Sequence, residues 1–115
     1  MNFEGKKALV TGASRGIGKA IAQELGKCNA FIIGTATSES GIANIEADFQ
    51  HHGINGIAKV LDVSEPQSIE SFFNELSDTD MTPLILVNNA GITRDNLMMR
   101  MKDSEWDEVI TTNLN

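Results

Sequence analysis

Apolar residues along this chain fall into two alternating patterns. Residues 8–10, 31–33, 57–63 and 84–87 form short runs with the length and composition of buried strands. Between them, apolar positions are spaced as on one face of a helix: Ile17, Ile21 and Leu25, then Ile42, Ile45 and Phe49 within residues 40–51, then Ile69, Phe72, Phe73 and Leu76. The third of these helices carries its own start signals. Ser64 and Gln67 have capping-box spacing, and Pro66 falls in the first turn, where its missing amide hydrogen costs nothing. A last helix is expected from Asp103 as N-cap, with Trp106, Val109, Ile110 and Leu114 on its apolar face.

Strand and helix in repetition predict an α/β protein with a doubly wound parallel sheet. Each right-handed crossover returns the chain in the same strand direction, and helices cover both faces. No Pro-, Gly- or Ser-rich linker, low-complexity tract or fixed-period repeat divides residues 1–115, which read as part of a single domain. The final helical pattern is still running at Asn115, with no Gly, Pro or basic last turn to close it. A sheet stopping after its fourth strand also leaves an edge and an apolar face uncovered. The expectation is a truncated domain; the alternative is a small protein with a frayed C-terminal helix.

Composition narrows the partners. A 115-residue chain that is 41% apolar can bury one core, and a net charge of -7 with a pI near 4.6 argues against a nucleic-acid partner. The single Cys28 cannot form an internal disulfide and, with no His or Asp beside it in sequence, reads as a small packed residue. The first residues lack an apolar leader. The longest strongly apolar run, residues 84–87, falls far short of the about 20 residues needed to cross a bilayer. A cytoplasmic protein with no membrane contact is expected. Adjacent on a helix, His51 and His52 are expected to point apart, and no metal site is predicted.

The candidate chemistry follows the first strand. Thr11-Gly12-Ala13-Ser14-Arg15-Gly16-Ile17-Gly18 leads directly into the first helix. A Gly-rich turn between strand and helix aims amide hydrogens and the positive end of the helix dipole at one point, which suits a pyrophosphate. One glycine lets the chain reverse, another lets backbone approach phosphate oxygens, and a third lets the helix pack on the strand. The spacing Gly-x-x-x-Gly-x-Gly differs from the common dinucleotide fingerprint. It also misses a triphosphatase loop, having one residue too many before Gly18-Lys19 and Ala20 where a hydroxyl would hold magnesium. A turn with no ligand is the plainer alternative.

An acidic residue about 20 positions beyond the glycines would bond a ribose 2'-hydroxyl and repel a 2'-phosphate. Thr35-Ala36-Thr37-Ser38 stands there instead, and Arg15 can supply charge-assisted bonds, so NADP(H) is favoured over NAD(H). Glu39 would weaken that preference only if it turned inward.

With these residues in view, the whole chain resembles the short-chain dehydrogenase/reductase family. The family pattern Thr-Gly-x-x-x-Gly-x-Gly is met by residues 11–18, and Asn-Asn-Ala-Gly after the fourth strand by Asn88, Asn89, Ala90 and Gly91. A Rossmann-type sheet whose first four strands run in the order 3-2-1-4 opens its crevice between the ends of strands one and four, with Gly12 and Asn88 facing each other. The expected cofactor-binding residues are Gly12, Ala13, Ser14, Arg15, Gly16, Ile17, Gly18 and Thr37. The resemblance implies that Asp62 and Val63 line an adenine pocket and that Asn88, Ala90 and Gly91 approach the adenosine ribose and the middle of the cofactor. A loop or capping carboxylate remains an equal reading of Asp62. The family role of Asn89 is structural.

The chain is most similar to the family's 3-oxoacyl-acyl-carrier-protein reductases. Phe3-Glu4-Gly5-Lys6, Gly34-Thr35-Ala36-Thr37-Ser38, Gly91-Ile92-Thr93-Arg94-Asp95-Asn96-Leu97 and Met99-Arg100-Met101-Lys102 carry that likeness. It implies NADPH-dependent reduction of a 3-oxoacyl thioester, held on acyl carrier protein, to the 3-hydroxyacyl thioester in fatty-acid synthesis, by a homotetramer when full length. Leu97, Met98, Met99 and Met101 read either as a soft apolar wall at the site entrance or as core and subunit contacts.

In this family a Tyr donates the proton, a Lys four residues later lowers its pKa, and a Ser orients the carbonyl. These 115 residues contain no tyrosine. Only Asn113, in Thr112-Asn113-Leu114, matches a catalytic position, as a supporting residue that stabilises a helix kink and holds a water of the proton relay. An ordinary helical Asn is the alternative. Three readings follow: part of a reductase that is inactive by itself, a non-catalytic dinucleotide-binding module, or a structural fragment with an empty loop.

Overall fold

The computed structural model describes residues 2–81, 83, 85–88 and 110–113, with Asn88 and the last four described as backbone. Its elements are β1 (Lys7–Val10), α1 (Gly16–Lys27), β2 (Phe31–Ala36), α2 (Glu39–His52), β3 (Gly56–Val60), α3 (Pro66–Asp78), β4 (Ile85–Asn88) and β5 (Ile110–Asn113). The strands form one parallel sheet in the order β3-β2-β1-β4-β5. The expected order 3-2-1-4 is present, extended by β5.

The central strands β1, β2 and β4 are buried on both faces, so they read as continuous apolar runs, whereas β3 is half-buried with Val60 exposed. Successive side chains alternate between two cores. Ala8 and Val10 of β1, Ile32 of β2, and Ile85 and Val87 of β4 pack with Ala22 of α1 and Ile42, Ile45 and Phe49 of α2. Leu9, Ile33 and Leu86 take the other side, with Ile69, Phe72, Phe73 and Leu76 of α3. From β1 the chain winds outward through β2 to β3, then returns past β1 to β4, which places α3 opposite α1 and α2. Val10, the end of β1, is level with Gly34 on one side and Val87 on the other, and β2 continues two residues further, to Ala36, beside the point where winding reverses. Ligands in open α/β sheets bind at that end.

Helix α2 is closed at both termini. Ser38 is its N-cap, its hydroxyl accepting from the Gly41 amide at 3.3 Å, with Glu39 at the positive end of the dipole and His51 and His52 at the negative end. Among the described residues, no helix is long and apolar enough to cross a membrane.

Four expectations are corrected. Ile110–Asn113 is a strand paired with β4, not part of a helix begun at Asp103. Ile110, Thr111 and Thr112 are β-branched and fit an extended chain, and the open edge of β4 offers them a ladder of hydrogen bonds. Residues 103–109, with Trp106 and Val109, lie outside the described residues, as does Leu114. Helix α3 takes Glu65, not Ser64, as its N-cap, with no side-chain cap bond, because the Ser64 hydroxyl donates to Asp62 Oδ1 at 2.5 Å. Ile17 is 57% exposed at the start of α1, whose fully buried residues are Gly18 and Ala22. His51 and His52 meet edge to face, with ring centroids 4.9 Å apart.

The β2–β3 pair depends on Gly56, level with Ile32. A Cβ there would lie 2.3 Å from the Ile32 carbonyl oxygen and 2.8 Å from Phe49 Cε2. Gly56→Ala is expected to lower stability by about 1–3 kcal/mol, as overpacking does. Urea unfolding should show a lower midpoint at unchanged slope; an unchanged midpoint would contradict this packing.

Candidate functional site

The glycine loop is held by backbone bonds to both neighbours of β1. The Thr11 amide donates to the Val87 carbonyl of β4 at 3.0 Å, and the Ala13 amide to the Thr35 carbonyl of β2 at 2.9 Å. Thr11 is fully buried and Ala13 nearly so, which sinks the start of the turn into the sheet and leaves Arg15, Gly16 and Ile17 exposed at its crest. Gly12 and Gly16 both have φ of +63°, the left-handed region that costs other residues roughly 1–2 kcal/mol. A Cβ at Gly16 would meet nothing within 4 Å, so its requirement is conformational. Arg15 is the N-cap of α1 in extended conformation; a guanidinium has no acceptor, and its side chain makes no cap hydrogen bond.

Beneath this crest lies a cleft of about 480 Å³ lined by Gly12, Ser14, Arg15, Gly16, Ile17, Ala36, Thr37, Leu61 and Val63. It brings together the turn after β1, the end of β2 and the segment after β3. The Leu61 amide donates to the Ala36 carbonyl at 2.9 Å, continuing the β2–β3 ladder to the cleft floor. Leu61 and Val63 are buried and give that floor an apolar surface. Among the described residues no carboxylate lines the cleft, and Glu39, the first residue of α2, is exposed and outside it.

Of the residues singled out in the sequence, the cleft gathers Gly12, Ser14, Arg15, Gly16, Ile17, Thr37 and Val63. Ala13 lies in the core below, and Gly18 is buried within α1. Asn88 ends β4 and is level with Asn113 of β5, so Asn113 sits on a strand and not on a helix. Ala90 and Gly91 lie outside the described residues, as do Asn89 and the segment with Leu97, Met98, Met99 and Met101. Ala36 and Leu61 complete the lining and were not singled out. Leu61 falls within an apolar run and Ala36 is a small apolar residue at the end of β2, and in either place a residue at a ligand wall cannot be told from one in the core. Among the described residues no His, Cys, Asp or Glu group is arranged to hold a metal, and Cys28 is a half-buried free thiol.

Asp62 follows β3 beside the cleft. Its amide donates to Ser68 Oγ at 3.0 Å, while its Oδ1 accepts from the Ser64 amide at 3.0 Å and the Ser64 hydroxyl at 2.5 Å. The hydroxyl, and then the amide, hold its carboxyl below the usual carboxylate range.

A doubly wound parallel sheet with a Gly-rich turn at its switch point is of the Rossmann-like α/β class. A model of the short chain dehydrogenase family matches residues 6–115, and the chain belongs to that family of oxidoreductases. Membership implies a nicotinamide dinucleotide as cofactor. The chain is 55% identical over 115 residues to the 3-oxoacyl-acyl-carrier-protein reductase FabG of Pseudomonas aeruginosa, covering 100% of this chain and 47% of the relative. It is 57% identical over 114 residues to the reductases of that name from Escherichia coli K12 and Vibrio cholerae, covering 99% of this chain and 46% of each relative. The chain thus spans about half the length of these relatives.

The Asp62–Ser64 turn has a defined signature in acid. A carboxyl whose pKa is depressed on folding contributes stability that is complete above its unfolded value, near 3.8, and is lost as pH falls through the folded value. In a carboxyl-carbon NMR titration, Ser64→Ala should raise the Asp62 midpoint toward 3.8. A midpoint unmoved by the substitution would mean that the hydroxyl does not hold the charge.

Proposed function

We propose that residues 1–115 are the N-terminal NADP(H)-binding part of a single Rossmann-fold domain, that of a 3-oxoacyl-acyl-carrier-protein reductase. The full-length enzyme reduces 3-oxoacyl thioesters on acyl carrier protein to 3-hydroxyacyl thioesters in fatty-acid synthesis. The substrate rests on the names of relatives that share more than half of these residues. The cofactor rests on the cleft: Arg15 and Thr37 line it, and among the described residues no carboxylate lines it to repel a 2'-phosphate.

The residues present fit a dinucleotide. The turn offers Gly12, Ser14, Arg15, Gly16 and Ile17 to the pyrophosphate at the positive end of α1, while Ala13, bonded to Thr35, and Gly18, buried in α1, anchor it from below. Arg15 and Thr37 serve the 2'-phosphate by charge-assisted bonds. Leu61 and Val63 offer adenine an apolar surface, with Asp62 anchoring the turn beside it. Asn88, Ala90 and Gly91 are assigned to the adenosine ribose and the middle of the cofactor. The nicotinamide supplies hydride when bound; these residues bind and orient it. Proton transfer falls to the family's Tyr, which is not among these 115 residues, and Asn113 has a supporting part in holding water for the relay.

The polypeptide of residues 1–115 is therefore expected to bind NADPH more tightly than NADH and to catalyse no reduction. In calorimetric titrations, Arg15→Ala should weaken NADPH binding roughly tenfold to a hundredfold, the scale of a hydrogen bond to a charged group, with little effect on NADH. Equal affinities for the two cofactors in the unaltered protein would overturn the 2'-phosphate assignment. Turnover of a 3-oxoacyl thioester by this polypeptide would overturn the division of labour.

A further inference from the structure

The glycine loop and Thr37 stand at the starts of two helices, α1 and α2, and a buried carboxylate joins those helices behind the cleft. The Asp48 side chain, on α2, is only 6% exposed. Its Oδ1 accepts from Gln23 Nε2 of α1 at 2.9 Å and faces His52 Nδ1 at 3.1 Å, with Lys19 Nζ of α1 at 3.9 Å. His52 Nδ1 also lies 3.0 Å from the Asp48 carbonyl oxygen. Lys19 and Gln23 are one turn apart on α1, and Lys19 directly follows Gly18. The carboxylate therefore grips the first two turns of the helix whose N-terminus carries Arg15. Asp48 also lines a groove with Ser14, Lys19, Asn44, Ala47, His51 and His52, and Ser14 is common to this groove and the main cleft.

A second contact fixes the start of α2 against the cleft wall. A Cβ at Gly41, in the first turn of α2, would lie 2.6 Å from Ala36 Cβ and 3.6 Å from Ser14 Cβ. The start of α2 is thus pressed against two residues of the cleft wall. The Asp48 cluster thus joins α1 to α2, while the Gly41 contact seats the start of α2 on Ser14 and Ala36, the residues that directly precede Arg15 and Thr37.

We propose that Asp48 is a positioning residue for cofactor selection, holding α1 to α2 so that Arg15 and Thr37 engage one 2'-phosphate together. This rests on the NADP(H) reading of the cleft. Removing the charge while keeping the shape releases Lys19 and loosens the grip on Gln23 and His52; contacts of this kind are felt at a site through packed neighbours.

The test is a double-mutant cycle of Asp48→Asn and Arg15→Ala, read as the ratio of NADPH to NADH affinity. Asp48→Asn should lower that ratio about threefold to tenfold, the range typical of coupling through intervening residues, and have no further effect once Arg15 is alanine. Gln23→Ala, which cuts the same cluster from α1, should lower the ratio in the same direction and keeps the test open if Asp48→Asn does not fold. An unchanged ratio in a folded variant, or an equal fall with and without Arg15, would overturn the proposal. Absence of any NADPH preference in the unaltered protein would instead overturn the reading on which it rests.

Discussion

Everything at the candidate site depends on how the chain leaves β1. Two backbone hydrogen bonds, from Thr11 to Val87 and from Ala13 to Thr35, tie the first residues of the turn to the strands on either side. They satisfy amides that would otherwise be buried without partners, and they commit the turn to rise from the sheet at one place only. Gly12 and Gly16, both at positive φ, then carry the chain over to α1. The crest thus formed is rigid at its base and open above, a geometry suited to presenting amides and a helix terminus to an anion.

The two cores make that crest possible. Because β1 lies between β2 and β4 and is buried on both faces, its end cannot slide: Val10 is locked in register with Gly34 and Val87. Helices α1 and α2 cover one face and α3 the other. The residues that follow β1, β2 and β3 consequently meet at one end of the sheet, where apolar Leu61 and Val63 share a cleft with Arg15 and Thr37. A lining that combines a cation and hydroxyls with apolar side chains suits a ligand with phosphate at one end and an aromatic ring at the other.

Much of this was legible in the sequence because periodicity reports burial. The apolar faces of α2 and α3, at Ile42, Ile45 and Phe49 and at Ile69, Phe72, Phe73 and Leu76, are all buried. The four strands begin where short apolar runs mark them, although β3 ends at Val60 and the rest of its run, through Leu61 and Val63, lies beyond the strand at the cleft. The errors share a cause, namely competition between local and tertiary partners. Ile17 keeps helical spacing with Ile21 and Leu25 yet faces the cleft, because the sheet receives Gly18 and Ala22 instead. Ser64 has the spacing of a cap but bonds backward to Asp62. Ile110 keeps helical spacing with Trp106, yet the edge of β4 takes it into a strand. The Asp48 cluster was not legible at all: Lys19 and Gln23 become its partners only when α1 and α2 pack together, and no spacing along the chain announces that.

The central claim is that the cleft at the glycine loop receives the dinucleotide, and amide chemical shifts report it most directly. In a titration of this polypeptide with NADP+, followed by two-dimensional nitrogen–proton NMR, the amides of Gly12, Ser14, Arg15, Gly16, Ile17, Thr37, Leu61 and Val63 should move together along one saturating curve. The amides of α3, from Gln67 to Asp78 on its far side, should stay still. Shifts that saturate elsewhere while Gly12 to Ile17 remain fixed would contradict the account.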